Sequence, residues 1–528
     1  MSIALRHQSL VNVCALLVLS FVAGCSTVRP VYFGLQFIDD ETGRGVPLVE
    51  ISSTNAVTYI SDSAGWVAVN PRDFETEMIY FSVRSPGYSP REHIDGFPGI
   101  RVSLRAGGRR IVPLQRTSVA QRLYRVTGEG IYHDSQLLGK DTPFPARDAP
   151  PGGVFGQDSV ENAIYDDRLY WFWGDTRRGG SPLGNFAVSG AVSALPSDGG
   201  MSPDDGVKLE YFVDANGFVR AMCPLEGGGL VWISGLTVFE ENGREIMFAH
   251  YARLRDLGDV IEHGIALWND EQEVFEKAQE FPLNVPLHPR GRPLKQLEDG
   301  QQWLYFGQAF PNIRVRASWK DILEPQRYQA FTPLKAGSRW RDEHPPLERD
   351  SDGQLAWAWK DDTDLITEER WQRLLKQDLV KPEEERWPLR DMESGDRIVA
   401  HSGSVSWNAH RNRWVLVFGE VYGESFLGEV WYAEGPGPMG PWSAARKIVT
   451  HDRYSFYNVK QHPFFASGPY IYFEGTYSKL FSGSETPTPR YDYNQIMYRL
   501  NLDDPRLPRF PETGVKHEGG AGARIHYE

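Results

Sequence analysis

The chain has 528 residues, and at about 150 residues per domain this length predicts three or four domains, or fewer if one is a large all-β unit. Asp and Glu number 70 against 56 Lys and Arg, and the net charge of −14 argues against nucleic acid as the main partner. The 52 Gly and 36 Pro, with 16 Trp, 23 Tyr and 27 Phe, favour short aromatic strands joined by tight turns and disfavour a helical bundle. With three Cys in the whole chain, a disulfide framework is excluded.

Residues 1–24 are predicted to be a secretory signal peptide. A basic start at Arg6 precedes an apolar stretch from Leu10 to Ala23, and Cys25 follows almost directly. An apolar run of about 14 residues is too short to cross roughly 30 Å of hydrocarbon, so a permanent transmembrane helix is the weaker interpretation.

The four residues from Val22 to Cys25 resemble the lipobox of bacterial lipoproteins. That resemblance implies cleavage before Cys25 and acylation of its thiol and of the new N-terminus, which would anchor the chain stably in a membrane. Ser26 implies, by the same resemblance, sorting to the outer membrane of the cell envelope. Residues 25–30 would then be a short lipidated tether.

Residues 31–115 alternate apolar and polar side chains between turn signals, which is typical of a small antiparallel β-sandwich. The segments GVPLVEI, SDSAGW and FSVRSPGY, in that order, resemble carboxypeptidase-regulatory-like (transthyretin-like) domains. The resemblance implies a spacer or a binding module. Because this stretch has no catalytic cluster, we expect it to support or position the rest of the chain.

Over residues 123–510 one unit recurs five times, a strand and an aromatic strand joined by a tight polar turn. The copies are DDRLYWFWGD (166–175), NGREIMFAHY (242–251), DGQQWLYFGQ (299–308), HRNRWVLVFGE (410–420) and SGPYIYFEG (467–475). Another strand-like run follows each copy, so each repeat supplies at least three strands. Such sheets cannot bury both faces alone, which predicts an all-β, five-bladed β-propeller.

The spacing widens between the third and fourth copies. Residues 364–380, DLITEERWQRLLKQDLV, combine good helix formers with apolar residues at helical spacing, and predict a helical insertion between blades 3 and 4. Residues 511–528 are a C-terminal tail.

The first repeat is predicted to bring two carboxylates together. If residues 166–167 form a two-residue hairpin turn, the pairing register puts Asp158 opposite Asp175. Two like charges at this spacing destabilise a sheet unless they have a partner or a purpose. One interpretation is a surface ion pair with Arg177 or Arg178. The other is an acid/base pair with separated pKa values, which glycoside cleavage requires.

The same hairpin logic predicts further residues on one rim of the propeller. It brings His401 close to Glu420 and Gln461 close to Glu474. Glu262 precedes a third strand on that rim. The candidate substrate-binding residues are Arg177, Glu262, His263, His401, Lys460, His462, Tyr477 and Tyr491. For Glu420 and Glu474, solvated strand ends remain the alternative to catalysis.

Aromatic residues divide into packing and binding candidates. Trp171 and Trp173 are expected to pack between blades, whereas Tyr457, Tyr477 and Tyr491 lie in polar loops and are candidates for contact with sugar rings. Metal-binding motifs such as HExxH or paired Cys are absent from the sequence, so no metal ligand is assigned and no cofactor is required. A structural Ca²⁺ held by carboxylates and water in the axial channel is left open.

Residues 123–510 resemble the five-bladed β-propeller glycoside hydrolases, the group that includes arabinanases, β-xylosidases and invertases. The resembling segments are Asp158-Ser159-Val160, the GDT motif ending at Thr176, and GPWSAARKI from Gly440 to Ile448. The resemblance implies that Asp158 is the base or nucleophile. Propellers like the endo-D-arabinanases have a second Asp in a GDT motif, which implies a role for Asp175.

These observations lead to a hypothesis with two alternatives. The leading one is a lipid-anchored hydrolase that cleaves a glycosidic bond of a polysaccharide or oligosaccharide, with Asp158 and Asp175 as core and Glu474, Glu420 or Asp175 as acid. The first alternative is a non-catalytic glycan-binding or scaffold protein. The second is a polysaccharide lyase with Lys460, His462 or a Tyr as base.

Overall fold

The computed structural model describes residues 31–144, 151–179, 187–256, 258–451 and 453–508. The predicted signal peptide, the lipid-bearing Cys25, the tether and the C-terminal tail lie outside the described residues. Within these ranges, no helix is both long and apolar enough to cross a membrane.

The described chain is almost entirely β-structure, which confirms the all-β prediction. Its α-helices are His133–Leu137, Trp319–Leu323 and Glu368–Lys376. Its 3₁₀ turns are Pro71–Asp73, Pro151–Gly153, Pro196–Asp198, Pro325–Arg327, Pro382–Glu384 and Pro463–Phe465. Glu368–Lys376 is the helix predicted within 364–380. It begins where the Thr367 side chain accepts a hydrogen bond from the Arg370 N–H, and it buries Trp371 and Leu374.

The N-terminal part folds as two sheets over one apolar core. One sheet contains Phe33–Asp39, Trp66–Val69, Tyr88–Pro90 and Arg109–Arg116. The other contains Glu50–Ser53, Thr58–Ile60, Met78–Arg84, His93–Ile94 and Phe97–Ser103. The prediction of a purely antiparallel sandwich is wrong in one pairing. Phe33–Asp39 and Arg109–Arg116 run parallel, because the chain crosses through the second sheet between them.

Five more sheets follow, each with four or five strands. Sheet 1 contains Glu161–Tyr165, Arg168–Trp173, Ser189–Ser193 and Glu210–Tyr211. Sheet 2 contains Leu230–Glu241, Arg244–Leu254, Val260–Asn269 and Val274–Phe281. Sheet 3 contains Leu294–Glu298, Gln301–Phe306, Ile313–Arg316, Gln329–Thr332 and Ala358–Asp361. Sheet 4 contains Arg390–Asp391, Ala400–Asn408, Arg413–Glu420, Val430–Gly435 and Ala444–Val449. Sheet 5 contains Gln121–Arg125, Ser455–Gln461, Tyr470–Ser478 and Asn494–Asn501, and a separate ribbon pairs Val154–Gln157 with Thr176–Arg178.

Consecutive sheets pack against one another through shared apolar clusters. Sheets 5 and 1 also share a cluster, to which Trp171 and Trp173 contribute with exposures of 0% and 1%. The prediction that these two rings are packing residues is therefore confirmed. Sheet 5 combines the strand Gln121–Arg125 with strands more than three hundred residues later, so it joins the start of this region to its end.

Candidate active site

The first hairpin of sheet 1 has the predicted register. Tyr165 lies opposite Arg168, and the turn residues Asp166 and Asp167 have φ values of 48° and 56°, as a two-residue hairpin loop requires. Asp and Asn tolerate this left-handed conformation better than most residues, which explains their use here. The turn therefore sets which residues face each other farther along both strands.

Asp158 and Asp175 are neighbours beyond the end of that ladder. The Asp158 N–H donates to the Asp175 carbonyl at 3.2 Å, and the Gly174 N–H donates to the Asp158 carbonyl at 2.8 Å. A Cβ at position 174 would lie 2.4 Å from Asp158 Oδ1, so only glycine leaves room for this carboxylate. Steric exclusion by the Asp158 carboxylate therefore explains why the GDT motif has a glycine at this position.

Asp158 sits among tyrosines at a partly solvent-accessible position. The Tyr457 hydroxyl donates to Asp158 Oδ2 at 3.1 Å, and Tyr493 is a second hydrogen-bond donor to the same carboxyl group. Burial, and secondarily the charge of Asp175, raises the pKa of Asp158 to about 7. This carboxyl group can therefore gain or lose a proton near neutral pH.

Asp175 is more enclosed, with 6% of its surface exposed. Its Oδ1 accepts a hydrogen bond from the Trp232 indole N–H at 3.0 Å, across from sheet 2. Burial raises the pKa of Asp175, and the Trp232 hydrogen bond opposes that rise. The two carboxyl groups titrate as an interacting pair in which one proton is retained more easily than in isolated aspartates.

Arg177 is not the counter-ion of this pair. Its guanidinium bonds to Asp492 at 2.8 Å and lies 4.4 Å from the centre of the Tyr493 ring. The ion-pair interpretation made for Arg177 from the sequence is therefore wrong. Through Tyr493, Arg177 helps to position a donor to Asp158.

A hydrogen-bonded link that the sequence analysis missed connects Asp158 to sheets 4 and 5. Ser159 donates its N–H to Thr476 Oγ1 at 3.0 Å, and its hydroxyl accepts from Asn458 Nδ2 at 2.6 Å. Ser402 of sheet 4 donates to Asn458 Oδ1 at 3.5 Å. Ser159 and Asn458 both have φ near 55°, which Asn tolerates but which is unfavourable for Ser159, and such conformations cluster at functional sites. A positive φ outside a turn leaves no pattern in the sequence, so this link could not be predicted from the sequence.

Sheet 4 holds a second carboxylate pair. Ala400 lies opposite Glu420, which places His401 next to it as predicted. Glu420 is partly buried and accepts a hydrogen bond from the Trp431 indole at 2.8 Å. Burial raises the pKa of Glu420 and also that of Glu429, which is 0% exposed and accepts a hydrogen bond from the Ser425 hydroxyl. The sequence analysis missed Glu429, although its position shortly after the repeat was a usable signal.

A cavity of about 420 Å³ opens between sheets 3 and 4 and the helix Glu368–Lys376, and it is lined by Val421, the chain neighbour of Glu420, and by Ala400, which pairs with Glu420. Its lining includes His401, whose pKa is lowered by burial, and Tyr422. Further aromatic and charged residues complete the lining, among them Phe310, Trp357, Trp371, Trp387, Glu385 and Arg397. Flat rings with a few charged groups at their edges are typical of pockets that bind small polar molecules.

Glu474 does not reach this surface. The observed register puts Lys460, and not Gln461, opposite Glu474. Glu474 is 0% exposed, and His462 Nε2 lies 3.4 Å from its Oε1. Burial lowers the pKa of Lys460 to about 8 and also lowers the pKa of His462. Glu474, Lys460 and His462 are thus all buried in this structure, and their contact with a substrate stays a prediction.

Glu262 and His263 are also separate from Asp158. Glu262 forms an ion pair with Arg253, bonds to Lys277 at 3.0 Å and accepts from Tyr251 at 2.8 Å. Three donors therefore satisfy this carboxylate within sheet 2. His263 bonds to His250 at 3.0 Å on the other face of that sheet.

Tyr477 and Tyr491 are buried as well, with 4% and 3% of their surfaces exposed. Tyr477 stacks on Tyr454 with ring centres 4.3 Å apart. Tyr491 donates its hydroxyl proton to the Ser61 carbonyl at 2.8 Å, and so joins the N-terminal sheets to sheet 5. Both rings are enclosed by protein in this structure, so their expected contact with sugar stays a prediction that the structure does not support.

Calcium gains no support from the described residues. Among them, three or more carboxylates do not come together as potential ligands of one ion. The axial calcium site stays a prediction.

No family model matches the sequence, and no curated protein is similar to it. Among solved structures, a candidate hydrolase from Bacteroides ovatus matches with a TM-score of 0.41 and 12% identity, over 68% of this chain and 89% of that one. A GH43 enzyme from Xanthomonas citri solved with xylose matches with a TM-score of 0.33 and 12% identity, over 66% and 87%. An exo-β-1,3-galactanase from Phanerochaete chrysosporium solved with galactose matches with a TM-score of 0.32 and 12% identity, over 65% and 60%. At these values the likenesses carry no inference about this chain.

Proposed function

We propose that this protein is a glycoside hydrolase of the cell envelope that cleaves a glycosidic bond in a polysaccharide or oligosaccharide. The observation that carries the proposal is the Asp158–Asp175 pair. It combines a carboxyl group on a partly exposed residue, a pKa raised to about 7, and a second carboxyl group on the neighbouring strand end. Hydrolysis of a glycosidic bond requires carboxyl groups that can exist in both protonation states at the working pH.

The proposed scaffold is a five-bladed β-propeller. Its support is the succession of five mainly antiparallel sheets, their shared apolar clusters, and the last sheet that combines early and late strands. In such an arrangement the starts of the first strands and the ends of the second strands lie on one face. Asp158 and Glu420 both occupy positions of that kind.

In the proposed mechanism Asp158 acts in its ionised form, as the nucleophile or as the base that takes a proton from water. Tyr457 and Tyr493 orient its carboxylate by hydrogen bonds. The charge of Asp175 keeps the proton affinity of Asp158 high, so that Asp158 is a strong enough base near neutral pH.

Glu420 is the proposed general acid. It is partly accessible, and burial raises its pKa, which keeps a proton available for the leaving oxygen. The contacts from Ser159 through Asn458 to Ser402 bring sheet 4 close to Asp158. The aromatic cavity beside Glu420 would receive the sugar on the leaving side.

A panel of plant, algal and bacterial-envelope polysaccharides tests the activity. We expect the full-length protein to release new reducing ends from at least one glycan, and Asp158→Asn to release none. Ultraviolet-absorbing unsaturated products would assign the protein to the lyases instead. Glycan binding without released reducing ends would replace the hydrolase by a binding protein.

The acid assignment has its own test. Glu420→Gln should lose most of its activity on the natural glycan but retain it on an aryl glycoside with an activated leaving group, because that group departs without a proton. An equal loss on both substrates would remove Glu420 from the mechanism.

Anchoring is proposed to occur through lipid on Cys25. Mass spectrometry of the N-terminal peptide from membranes should show an acylated Cys25, and Cys25→Ser should leave the protein with an uncleaved signal. An unmodified Cys25 would contradict the anchor without affecting the proposed chemistry.

A further inference from the structure

Three histidines from separate elements meet away from the acidic site. His250 lies on the second strand of sheet 2, His263 on its third strand, and His288 in the segment that follows its fourth strand. The centres of the His250 and His288 rings are 4.4 Å apart, and His263 lies 5.3 Å from the first and 5.2 Å from the second. One potential ligand nitrogen of each ring lies within 4.8 Å of the other two.

The register of sheet 2 explains why they meet. His250 lies opposite Ile265, and His263 is two residues before Ile265, so both imidazoles project from the same face. Ile265 and Leu287 belong to the apolar cluster between sheets 2 and 3. Burial of three polar rings at the edge of an otherwise apolar contact lowers the stability of the fold unless their nitrogen atoms have hydrogen-bond or metal partners.

The hydrogen bonds orient one lone pair into the cluster. His263 Nε2 lies 3.1 Å from the Pro282 carbonyl, which can only accept, so this nitrogen carries the proton. In the neutral ring the lone pair is then on His263 Nδ1, which faces His250 Nε2 at 3.0 Å. A backbone carbonyl that holds the far nitrogen of an imidazole is the usual support of a metal-binding histidine.

His288, in the same cluster, has a ring nitrogen that lacks a hydrogen-bond partner among the described residues. This nitrogen, Nδ1, is buried. A buried nitrogen without a partner costs free energy, and a metal ion bound to this ring would orient it and remove that cost.

We propose that His250, His263 and His288 bind one transition-metal ion of the Zn²⁺ class. Imidazole ligands favour zinc over calcium or magnesium, which prefer oxygen. Two nitrogens on a tetrahedral zinc with bonds of about 2.0–2.1 Å lie about 3.3 Å apart, close to the separation of His250 and His263. The ion would fasten the third strand of sheet 2 to the segment that leads into sheet 3.

Calorimetric titration of the chelator-treated full-length protein, prepared without a histidine tag, tests the site. We expect one Zn²⁺ per chain and a raised Tm, with binding at least about 100-fold weaker in His288→Ala. His410→Ala, which removes an exposed imidazole, is the matched control and should bind as the wild type does. No stoichiometric binding, or equal affinity in His288→Ala, would overturn the proposal.

If His288→Ala does not fold, the wild-type protein loaded with Co²⁺ decides the matter. Three imidazole ligands should appear in its X-ray absorption, with the intense visible bands of a four-coordinate site. A spectrum of hexaaqua cobalt would contradict the site. Neither result depends on the proposed hydrolase activity, because both report on metal binding alone.

Discussion

The same sequence pattern, an acidic residue next to a glycine at the end of an aromatic run, occurs in sheets 1 and 5. In sheet 1 the acidic residue is Asp175, the neighbour of Asp158, and in sheet 5 it is Glu474. Their environments are opposite. Asp175 comes after the strand Arg168–Trp173 has ended, and its neighbour Asp158 is partly accessible. Glu474 lies inside the strand Tyr470–Ser478, which continues for four residues beyond it, and it is 0% exposed.

The neighbouring charges differ in the same way. Asp158 and Asp175 oppose each other, and each is stabilised by neutral donors from aromatic side chains. Near Glu474, by contrast, lie Lys460 and His462, and a buried ion pair of Glu161 with Arg292 is close to Lys460. The first set is suited to proton transfer, whereas in the second a buried carboxylate, whose oxygens have no hydrogen-bond partner among the described residues, lies near buried basic side chains.

The largest expected difference between the two regions is in catalysis. Asp158→Asn should lower kcat/KM by about 10³-fold or more, because it removes the group that accepts the proton or attacks the sugar. Glu474→Gln should retain the wild-type kcat per folded molecule. Initial rates on the best glycan of the panel measure both. Asp166→Asn, at the other end of the same hairpin and with a φ that Asn accepts, is the control; comparable rates for Asp158→Asn and this control would refute the assignment.

For the free energy of unfolding we expect the reverse order, with a larger loss from substitution of Glu474 than of Asp158. Glu474→Gln removes one charge from a buried set and leaves Lys460 and His462 without it, which should lower the free energy of unfolding by about 3 kcal/mol. Urea unfolding followed by tryptophan fluorescence measures the loss. A double variant, Glu474→Met with Lys460→Met, should recover part of it, since no buried charge is then unpaired. An unchanged midpoint for Glu474→Gln would show that this buried set does not stabilise the fold.

The pH dependence separates the two carboxyl groups of the corner. Hydrolysis that needs ionised Asp158 should rise as the pH increases through about 7, the pKa to which burial and Asp175 raise this group. In Asp175→Asn the like charge is gone and Asn still accepts from Trp232, so the acid limb of kcat/KM should move to lower pH. An acid limb that stays in place would mean that Asp175 does not act on Asp158.

The smallest expected effect concerns Tyr422, which lines the cavity near Glu420 and is 72% exposed. If its ring contacts sugar, Tyr422→Ala should raise KM roughly fivefold, about 1 kcal/mol, with kcat unchanged. Phe97→Ala, an equally exposed ring on the N-terminal sheets, should change neither constant. A KM equal to that of the control would exclude the cavity from glycan binding.

Part of the fold and of the site could be predicted from local signals. The turn at residues 166–167 sets the register of its hairpin within a few residues, so the approach of Asp158 to Asp175 was predictable. The helix near Trp371 followed from helix formers and apolar spacing. The pairing at Glu474 was predicted one residue off, because residues 462–469 connect the two strands through a 3₁₀ turn and not through a two-residue loop from which the register can be counted.

Strand patterns and turn residues were enough to identify an all-β chain, its five repeats and one pair of acidic neighbours, because these depend on contacts between residues close in the sequence. Exposure and long-range partners could be known only from the tertiary structure. Tyr457 reaches Asp158, Trp232 reaches Asp175, and His288 joins His250 and His263 only when separate sheets pack together. Whether a carboxylate meets solvent or a buried lysine depends on that packing, since the same strand pattern occurs in both places.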